Sequence, residues 1–287
     1  MTLPLSPTQG VATRDYHGLP TRRIESEHLW LDVLAEAGPR IIRLGLHGSG
    51  DNVLAETPDA GWETPRGRYE LLGGHRLWFA PENPDMVAVP DSHGLTLKLT
   101  DTGAELTGQP DPITGLIRSI AIRLDPRTAA VDLHHQLWNT SHEPIELAPW
   151  AITQLPVGGI ATLPQPSVTS EHLVRPNRLL VLWPYTSWHD SRLALGDGAY
   201  SVRAEHGPPL KIGAFVPGGK VSYSRAGTTL TMGFQPVDGA RYADMGCNVE
   251  VYADDRFLEL EILGPLVRLE SGAKVTLDAR WELTIAR

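Results

Sequence analysis

The chain has 287 residues, of which 41% are hydrophobic and 21% are charged, a balance that excludes an intrinsically disordered protein. Its 25 Lys and Arg against 34 Asp and Glu give a formal net charge of −9, which argues against anionic partners such as nucleic acids and acidic membranes. The single cysteine, Cys247, excludes an internal disulfide and a cysteine-rich metal cluster.

Targeting signals are not evident in the sequence. Residues 1–20 contain no apolar stretch long enough for a signal-peptide core, and no apolar run is long enough to span a bilayer. We therefore expect a cytoplasmic protein.

Short alternating or apolar runs recur along the whole chain and predict β-strands. In chain order they cover residues 28–34, 40–46, 95–99, 117–124, 129–138, 211–216, 228–234, 249–252, 257–263 and 273–285. The last run alternates strictly, from Val275 to Ile285, between apolar and polar residues, which is typical of a half-buried strand. No window has the apolar spacing of an amphipathic helix, so we expect helices to be few and short.

Turn-forming residues set the expected architecture. The 28 glycines and 24 prolines are distributed through the chain and do not form one linker. Many short strands separated by frequent turns predict an all-β protein, built as a large antiparallel sandwich or barrel. We predict a single domain over residues 1–287, with residues 1–24 as an N-terminal extension, in a monomer or a homodimer.

Glu259 and Glu261 stand two residues apart in a predicted strand, so both carboxylates lie on one strand face with Phe257 and Leu263. Two close carboxylates raise each other's proton affinity, which suits general acid–base catalysis near neutral pH. The alternative is a solvent-facing strand in which glutamate serves solubility.

A second polar strand face carries His134 and Gln136 together with Asp132 and Trp138. Polar side chains beside an indole suit a sugar, whose C–H face stacks on the ring while its hydroxyls hydrogen-bond. The alternative is a hydrated outer surface. The neighbouring His135 points to the opposite, apolar face, so we expect a buried histidine with its hydrogen bonds satisfied.

The ten residues from Gly73 to Glu82 concentrate chemically active side chains: His75, Arg76 and Trp78 lie between the paired glycines and the glutamate. Glycine allows a tight turn or a close approach to a ligand, His75 would transfer a proton, and Arg76 would hold a polar group. A loop stabilised by an Arg–Glu pair is the alternative interpretation.

A second aromatic segment runs from Trp183 through Tyr185 to Asp190. Aromatic side chains on a loop are typical of binding sites. A purely structural loop, closed by an ion pair between Asp190 and Arg192, is equally consistent with the sequence.

Several of these segments resemble a family of bacterial proteins similar to the galactose mutarotase (aldose 1-epimerase) superfamily. The resemblance rests on residues 73–82, 137–150, 182–185, 241–252, 257–266 and 281–283, and it covers most of the chain from about residue 25 onward. It implies a β-supersandwich whose concave face receives a carbohydrate.

The resemblance also implies roles for particular residues. In mutarotases a glutamate near the C-terminus takes the proton from the anomeric hydroxyl, and a histidine protonates the ring oxygen. The glutamate corresponds to Glu261, with Glu259 as the alternative. At the family's histidine position this chain has Trp150, so His75 or His134 would have to supply the proton.

We expect the sugar to be held by a set of polar and aromatic side chains, namely Arg76, Trp78, Glu82, Gln136, Trp138, Trp150, Trp183, Tyr185 and Asp244. Neither a cofactor nor a metal is required for this reaction, although carboxylates such as Asp244 and Glu250 would also suit a divalent cation. The sequence thus predicts a carbohydrate-active isomerase. A sugar-binding protein without catalysis, and a lyase or hydrolase acting on an acidic sugar, remain alternatives.

Overall fold

A computed structural model describes residues 13–49, 51–83, 89–91, 93–166 and 176–286. Most of its strands belong to two antiparallel sheets. The strands of the first sheet are β1 (Thr13–Tyr16), β2 (Leu19–Glu25), β3 (Leu29–Leu34), β4 (Arg40–Leu46), β7 (His75–Ala80), β12 (Ile145–Pro156), β14 (Leu180–Leu182), β17 (Leu210–Ala214), β20 (Val249–Ala253), β21 (Phe257–Leu263) and β22 (Val267–Leu269).

The second sheet and a hairpin complete the strands of the described chain. The second sheet comprises β8 (Thr96–Thr100), β9 (Gly103–Thr107), β10 (Leu116–Leu124), β11 (Ala130–Asn139), β13 (Ile160–Pro164), β15 (Leu193–Leu195), β16 (Ala199–Arg203), β18 (Lys220–Arg225), β19 (Thr228–Phe234) and β23 (Lys274–Ile285). β5 (Glu56–Thr64) and β6 (Gly67–Gly73) pair with each other as a separate hairpin.

Neighbouring strands follow a fixed order in each sheet. The first sheet runs β1-β2-β3-β4-β7-β12-β21-β20-β17-β14, with β22 paired to β12, and the second runs β15-β16-β13-β18-β19-β23-β11-β10-β9-β8. The predicted all-β sandwich is therefore confirmed. The described residues form no helix, so turns occupy the places where a few short helices were expected. They likewise include no helix of the length and hydrophobicity needed to cross a membrane.

The hydrophobic core lies between the two sheets. It combines residues of the first sheet, such as Leu31 and Leu260, with residues of the second, such as Ile120 and Leu133. A smaller apolar cluster lies on the opposite face of the first sheet, beneath the β5–β6 hairpin; it includes Trp150 and Leu263. We call this the outer face of the first sheet.

The alternation of β21 explains both clusters. Leu258, Leu260 and Ile262 enter the core between the sheets, whereas Phe257 and Leu263 join the cluster on the outer face. Glu259 and Glu261 share the face of Phe257 and Leu263 because side chains two residues apart in a strand point the same way. The predicted face assignment is confirmed by this burial.

The N-terminal extension is part of the sandwich where the structure describes it. β1 and β2 pair at one edge of the first sheet, and Tyr16 is fully buried and donates a hydrogen bond to the Leu72 carbonyl. Residues 1–12 of the extension lie outside the described residues.

A buried histidine pair joins the two sheets through the core. The ring nitrogens His75 Nε2 and His135 Nε2 are 2.7 Å apart, His75 Nδ1 is 3.0 Å from the Thr153 hydroxyl, and His135 Nδ1 is 2.8 Å from the Leu277 carbonyl. The Leu277 carbonyl only accepts, so His135 carries its proton on Nδ1 and His75 donates from Nε2. His135 must then be neutral because its Nε2 accepts, and the arrangement confirms the expected buried His135.

Acidification is expected to destabilise the fold through this pair. Burial lowers the pKa of His135 to about 4 and, with the neighbouring His135, lowers that of His75 well below its usual value. The unfolded chain therefore binds more protons below about pH 6.5, and His135 alone would cost up to about 3 kcal/mol of stability as the pH falls towards 4. Denaturant unfolding at successive pH values measures this loss. A constant unfolding free energy between pH 7 and 4.5 would contradict it.

Candidate active site

Five neighbouring strands align polar side chains across the outer face of the first sheet. One row pairs Arg76 of β7 with Ile152 of β12, Glu261 of β21 and Glu250 of β20. The next row pairs Gln154, Glu259, Tyr252 and Lys211. Directly opposite residues on paired strands share a face. The register therefore assembles a polar floor that no single segment of sequence contains.

Lys211, Glu250 and Glu261 form the centre of this floor. Lys211 Nζ donates to Glu250 Oε2 at 2.7 Å and to Glu261 Oε2 at 3.0 Å. The Trp150 indole N–H donates to Glu261 Oε2 at 2.7 Å. Both glutamates are buried, at 1% and 0% exposure, and the Lys211 side chain is 8% exposed. The solvent-facing interpretation of the 257–263 strand is therefore wrong for Glu261.

Burial and charge set the protonation of this cluster. Burial, reinforced by the charge of Glu261, raises the pKa of Glu250 to about 9. Burial also raises the pKa of Glu261, although the Lys211 ammonium opposes that shift. For Lys211, burial works to lower the pKa, but the two carboxyls outweigh it and raise the pKa. With Glu250 protonated at neutral pH, the buried Lys211 ammonium needs Glu261, 3.0 Å away, as its counter-charge, so we assign an ionised Glu261 and a charged Lys211.

Glu259 lies beside the cluster and has separate partners. It accepts a hydrogen bond from Gln154 Nε2 at 3.0 Å and a longer one from Arg76 Nη2 at 3.4 Å. Its side chain is 13% exposed and that of Arg76 is 10% exposed. These two groups consequently lie closer to solvent than Glu261 does.

Aromatic side chains border the floor. Lys211 Nζ lies 4.7 Å from the ring centroid of Trp150 and 4.8 Å from that of Trp183. Thr186 fixes the Trp183 loop to β17, because its hydroxyl donates to the Lys211 carbonyl at 2.7 Å and accepts from the Lys211 N–H at 2.8 Å. Tyr185, on the same loop, is half exposed. Indole and phenol rings are thus held beside the charged cluster.

The charges of Glu82 and Asp244 reach this region too. Burial raises the pKa of Tyr185 to about 12, with contributions from Glu261 and Glu82 that Lys211 opposes. Asp244 contributes to the raised pKa of Glu250. Asp244 adopts a left-handed turn with φ of 49°, and its carbonyl accepts from Cys247. Both acidic residues named from the sequence therefore lie within electrostatic reach of the floor.

Several buried polar atoms on this floor lack hydrogen-bond partners. They are Arg76 Nε and Nη1, Gln154 Oε1, Glu250 Oε1 and Glu261 Oε1. An unpaired buried polar group costs about 1–3 kcal/mol, so such groups are rare unless a ligand or water completes them. Donors and acceptors that lack partners therefore occur together on this face.

The structure corrects the expected histidines. His75 opens β7 and points into the core with Leu77, whereas Arg76 and Trp78 point to the outer face, because neighbouring strand residues alternate. His134 lies on β11 of the second sheet, exposed, with its Nδ1 2.6 Å from Asp278 Oδ1. The expectation that His75 or His134 faces Glu261 is wrong.

Gln136 and Trp138 were expected at the sugar site but, like His134, lie on the second sheet. They lie on the same face of β11, where Trp138 is 37% exposed and Lys274 Nζ is 5.0 Å from its ring centroid. The strand-face grouping was right, but this face belongs to the second sheet. A groove of about 640 Å³ on that face is lined by His134, Asp278 and Arg280, among others. It is separated from Glu261 by the core.

The ion pair in the Trp183 loop is structural. Arg192 Nη2 lies 2.7 Å from Asp190 Oδ2, and the guanidinium also donates to the carbonyls of Glu205 and Pro208. Arg192 is 3% exposed, so it is committed to holding this segment. Trp183 and Tyr185 of this loop lie near Lys211.

Lys211 and Glu250 were not identified as a functional pair from the sequence. Each is a single charged residue in an otherwise apolar strand, in Leu210–Ala214 and in Val249–Ala253. An isolated charge in a buried strand is a recognisable signal, because an unpaired buried charge is costly. Within the described chain, no group of three or more His, Cys, Asp or Glu side chains would hold a metal ion.

No protein-family model matches this chain, and no curated protein matches it. Solved structures do resemble it. A TPR-domain protein of Parabacteroides distasonis has a TM-score of 0.61 at 12% identity, covering 93% of this chain and 47% of its own. YeaD of Salmonella typhimurium, a proposed mutarotase, has a TM-score of 0.63 at 12% identity, covering 99% of this chain and 97% of its own.

A galactose mutarotase-like protein of Lactobacillus casei gives a TM-score of 0.57 at 11% identity, covering 92% of this chain and all of its own. These proteins share the fold. The chain spans about half of the Parabacteroides protein and nearly the whole length of the other two. The molecule is an all-β sandwich of the galactose mutarotase type, and the resemblance stated from the sequence is confirmed at the level of fold.

Proposed function

We propose that this protein binds a saccharide on the outer face of the first sheet and interconverts its anomers, as a cofactor-free isomerase of the aldose 1-epimerase type. The supporting observation is the Glu261 carboxylate. One of its oxygens is held by Trp150 and Lys211, while the other has no partner and is free to accept a proton. A positioned base with a raised pKa is what proton removal from a sugar hydroxyl requires.

The reaction needs a base and an acid, and it consumes no oxidant or reductant. Glu261 takes the proton from the anomeric hydroxyl, the C1–O5 bond breaks as the C1 carbonyl forms, and O5 receives a proton. Rotation about the C1–C2 bond then lets O5 add to the other carbonyl face, while both protons return. The result is the opposite anomer of the same sugar.

The aromatic border supports the choice of a sugar as substrate. A pyranose would place its C–H face against Trp183 or Tyr185, and its hydroxyls would reach Arg76 and Glu259. Aromatic rings beside a few converging polar groups are typical of small-molecule sites.

A carbohydrate-binding protein without catalysis is the second candidate. It is favoured by the complete burial of Glu261, since a base must contact the hydroxyl that it deprotonates. In that case the sugar would contact only the partly exposed Arg76, Glu259 and Tyr185. The two candidate functions place the sugar on the same face of the first sheet, but only the isomerase accelerates anomer interconversion.

One experiment separates them. Proton NMR exchange spectroscopy follows anomer interconversion across a panel of aldoses and uronic acids, and saturation transfer in the same samples detects binding. The isomerase predicts a protein-dependent exchange rate for at least one sugar. Saturation transfer without accelerated exchange would support the binding protein, and neither signal for any sugar would contradict both.

Replacing Trp183 with alanine is expected to weaken sugar binding by roughly tenfold, because the apolar face of the sugar ring no longer packs against an indole. Calorimetric titration of the sugar that gives the strongest signal measures the change. Trp138→Ala is the matched control, since it removes a partly exposed indole from the other sheet. Equal affinities for the Trp183→Ala protein and the wild type would contradict the proposed sugar-binding site.

A further inference from the structure

We infer that Lys211, supported by Glu250, supplies the proton to the ring oxygen in this protein, in the role that histidine has in the resembled enzymes. This inference rests on the proposed isomerase function and names its acid. It follows from the position of the Lys211 ammonium, which hydrogen-bonds to both glutamates. Of the three side chains, that of Lys211 is the most exposed, at 8%.

Geometry first favours Lys211 over the histidines. His75 and His134 face the core and the second sheet, so neither shares a face with Glu261. Lys211 Nζ lies 3.0 Å from Glu261 Oε2, next to the carboxylate that removes the first proton. A sugar whose O1 meets Glu261 would bring its ring oxygen, two bonds away, towards the ammonium.

The charge balance explains how a strongly held proton becomes available. Burial alone would lower the pKa of Lys211, and the ionised Glu261 is the largest influence that raises it. When Glu261 takes the proton from O1, its negative charge disappears and that influence is lost. The buried ammonium then loses its counter-charge, and transfer of its proton to O5 becomes favourable.

The two transfers balance without another reactant. Glu261 changes from carboxylate to carboxylic acid, and Lys211 changes from ammonium to amine, as the ring opens to the aldehyde. On closure, Lys211 removes the proton from the O5 hydroxyl while O5 bonds to C1, and Glu261 returns its proton to O1. Both side chains end in their starting states.

Glu250 acts through Lys211 and is a positioning residue. Its Oε2 lies 2.7 Å from Lys211 Nζ, and its raised pKa keeps it protonated at neutral pH. A neutral Glu250 orients Lys211 without providing a second counter-charge. An ionised Glu250 would keep the ammonium charged even after Glu261 is protonated, and would therefore block the second transfer.

Several titratable groups face Glu250 and bear on any pH dependence. They are Glu261 from β21, Lys211 from β17, Asp244 and Cys247 from the segment before β20, and Tyr185 from the loop after β14. Tyr185 and Cys247 have raised pKa values because of burial and stay neutral below pH 9. Burial and the Glu261 charge raise the pKa of Glu250 to about 9, so we assign an alkaline titration of this cluster to Glu250.

The experiment compares pH profiles of anomer exchange for the wild type, Glu250→Gln, Lys211→Arg and the control Glu105→Gln on the second sheet. Circular dichroism and thermal unfolding confirm that each variant is folded. The wild type and the control should lose activity above about pH 9, and Glu250→Gln should lack that alkaline limb. Lys211→Arg should lose at least a hundredfold in rate, because arginine keeps the charge but releases no proton.

Each outcome decides the inference. An alkaline limb that persists in Glu250→Gln, or a Lys211→Arg rate near that of the wild type, would overturn it while leaving the isomerase proposal standing. Wild-type protein that accelerates exchange of no sugar would overturn both. If Lys211→Arg does not fold, the Glu250→Gln profile alone decides, because this near-isosteric change imitates the protonated side chain.

Discussion

Glu261→Gln is expected to reduce anomer interconversion by about 10²–10⁴-fold, the usual contribution of a general base. Glutamine preserves the shape of the side chain, and its carbonyl oxygen still accepts from Trp150 and Lys211, but it takes up no proton at neutral pH. Folding should therefore survive the change.

NMR exchange rates measured at equal protein concentration test this expectation. Glu259→Gln is the matched control, because Glu259 lies two residues away on the same strand face and bonds to Gln154 and Arg76. It should keep most of its exchange rate. Unchanged exchange in Glu261→Gln would contradict the assignment, and a loss confined to Glu259→Gln would transfer the base to Glu259.

Lys211→Met is expected to lower the free energy of unfolding by about 3–5 kcal/mol, the typical cost of removing one partner from a buried ion pair. Methionine fills similar space but leaves Glu261 and Glu250 without their shared cation. Glu261 must then be protonated or remain as an uncompensated buried charge. Denaturant unfolding at pH 7 measures the loss, which should diminish at lower pH because protonation of Glu261 then costs less free energy.

The double variant Lys211→Met/Glu261→Gln provides the matching control. Removing both members of the pair should recover much of the lost stability, because no unpaired charge remains in the site. Equal stability of Lys211→Met and the wild type would show that the cluster is solvated in solution. A double variant less stable than Lys211→Met would show that the ion pair is not the source of the effect.

The strand pattern of the sequence was informative because period-two alternation reports directly which side chains share a face. Three predicted runs, 40–46, 228–234 and 257–263, coincide with β4, β19 and β21. For β21 the alternation also assigned Glu259 and Glu261 correctly to one face. Local geometry fixes such features, so a single chain segment is sufficient to predict them.

The neighbours of Glu261 depend on strand order, which no local pattern contains. β21 lies between β12 and β20, so Trp150 comes from a strand 111 residues earlier, and Lys211 comes from β17, 50 residues earlier and on the far side of β20. The prediction for His75 was wrong because the segment interpreted as a glycine-flanked loop is strand β7. In a strand, neighbouring residues point to opposite faces, so His75 and Arg76 cannot share a face. His134 was misplaced because its strand belongs to the other sheet.

Trp150 illustrates how a departure from the family pattern acquires meaning only in three dimensions. The sequence shows tryptophan where a mutarotase histidine is expected, and nothing local indicates its role. In the structure its indole N–H holds Glu261 Oε2, and its ring lies 4.7 Å from the Lys211 ammonium. Trp150 therefore orients the Glu261 carboxylate and borders the Lys211 ammonium.

A crystal structure of the protein with an aldose identified by saturation transfer would locate the ligand directly. We expect the sugar on the outer face of the first sheet, with a hydroxyl within hydrogen-bond distance of Glu261 Oε1 and the ring oxygen near Lys211 Nζ. A sugar bound instead in the groove beside His134 and Asp278, with the Glu261 face empty at saturating ligand, would contradict the assignment of the site.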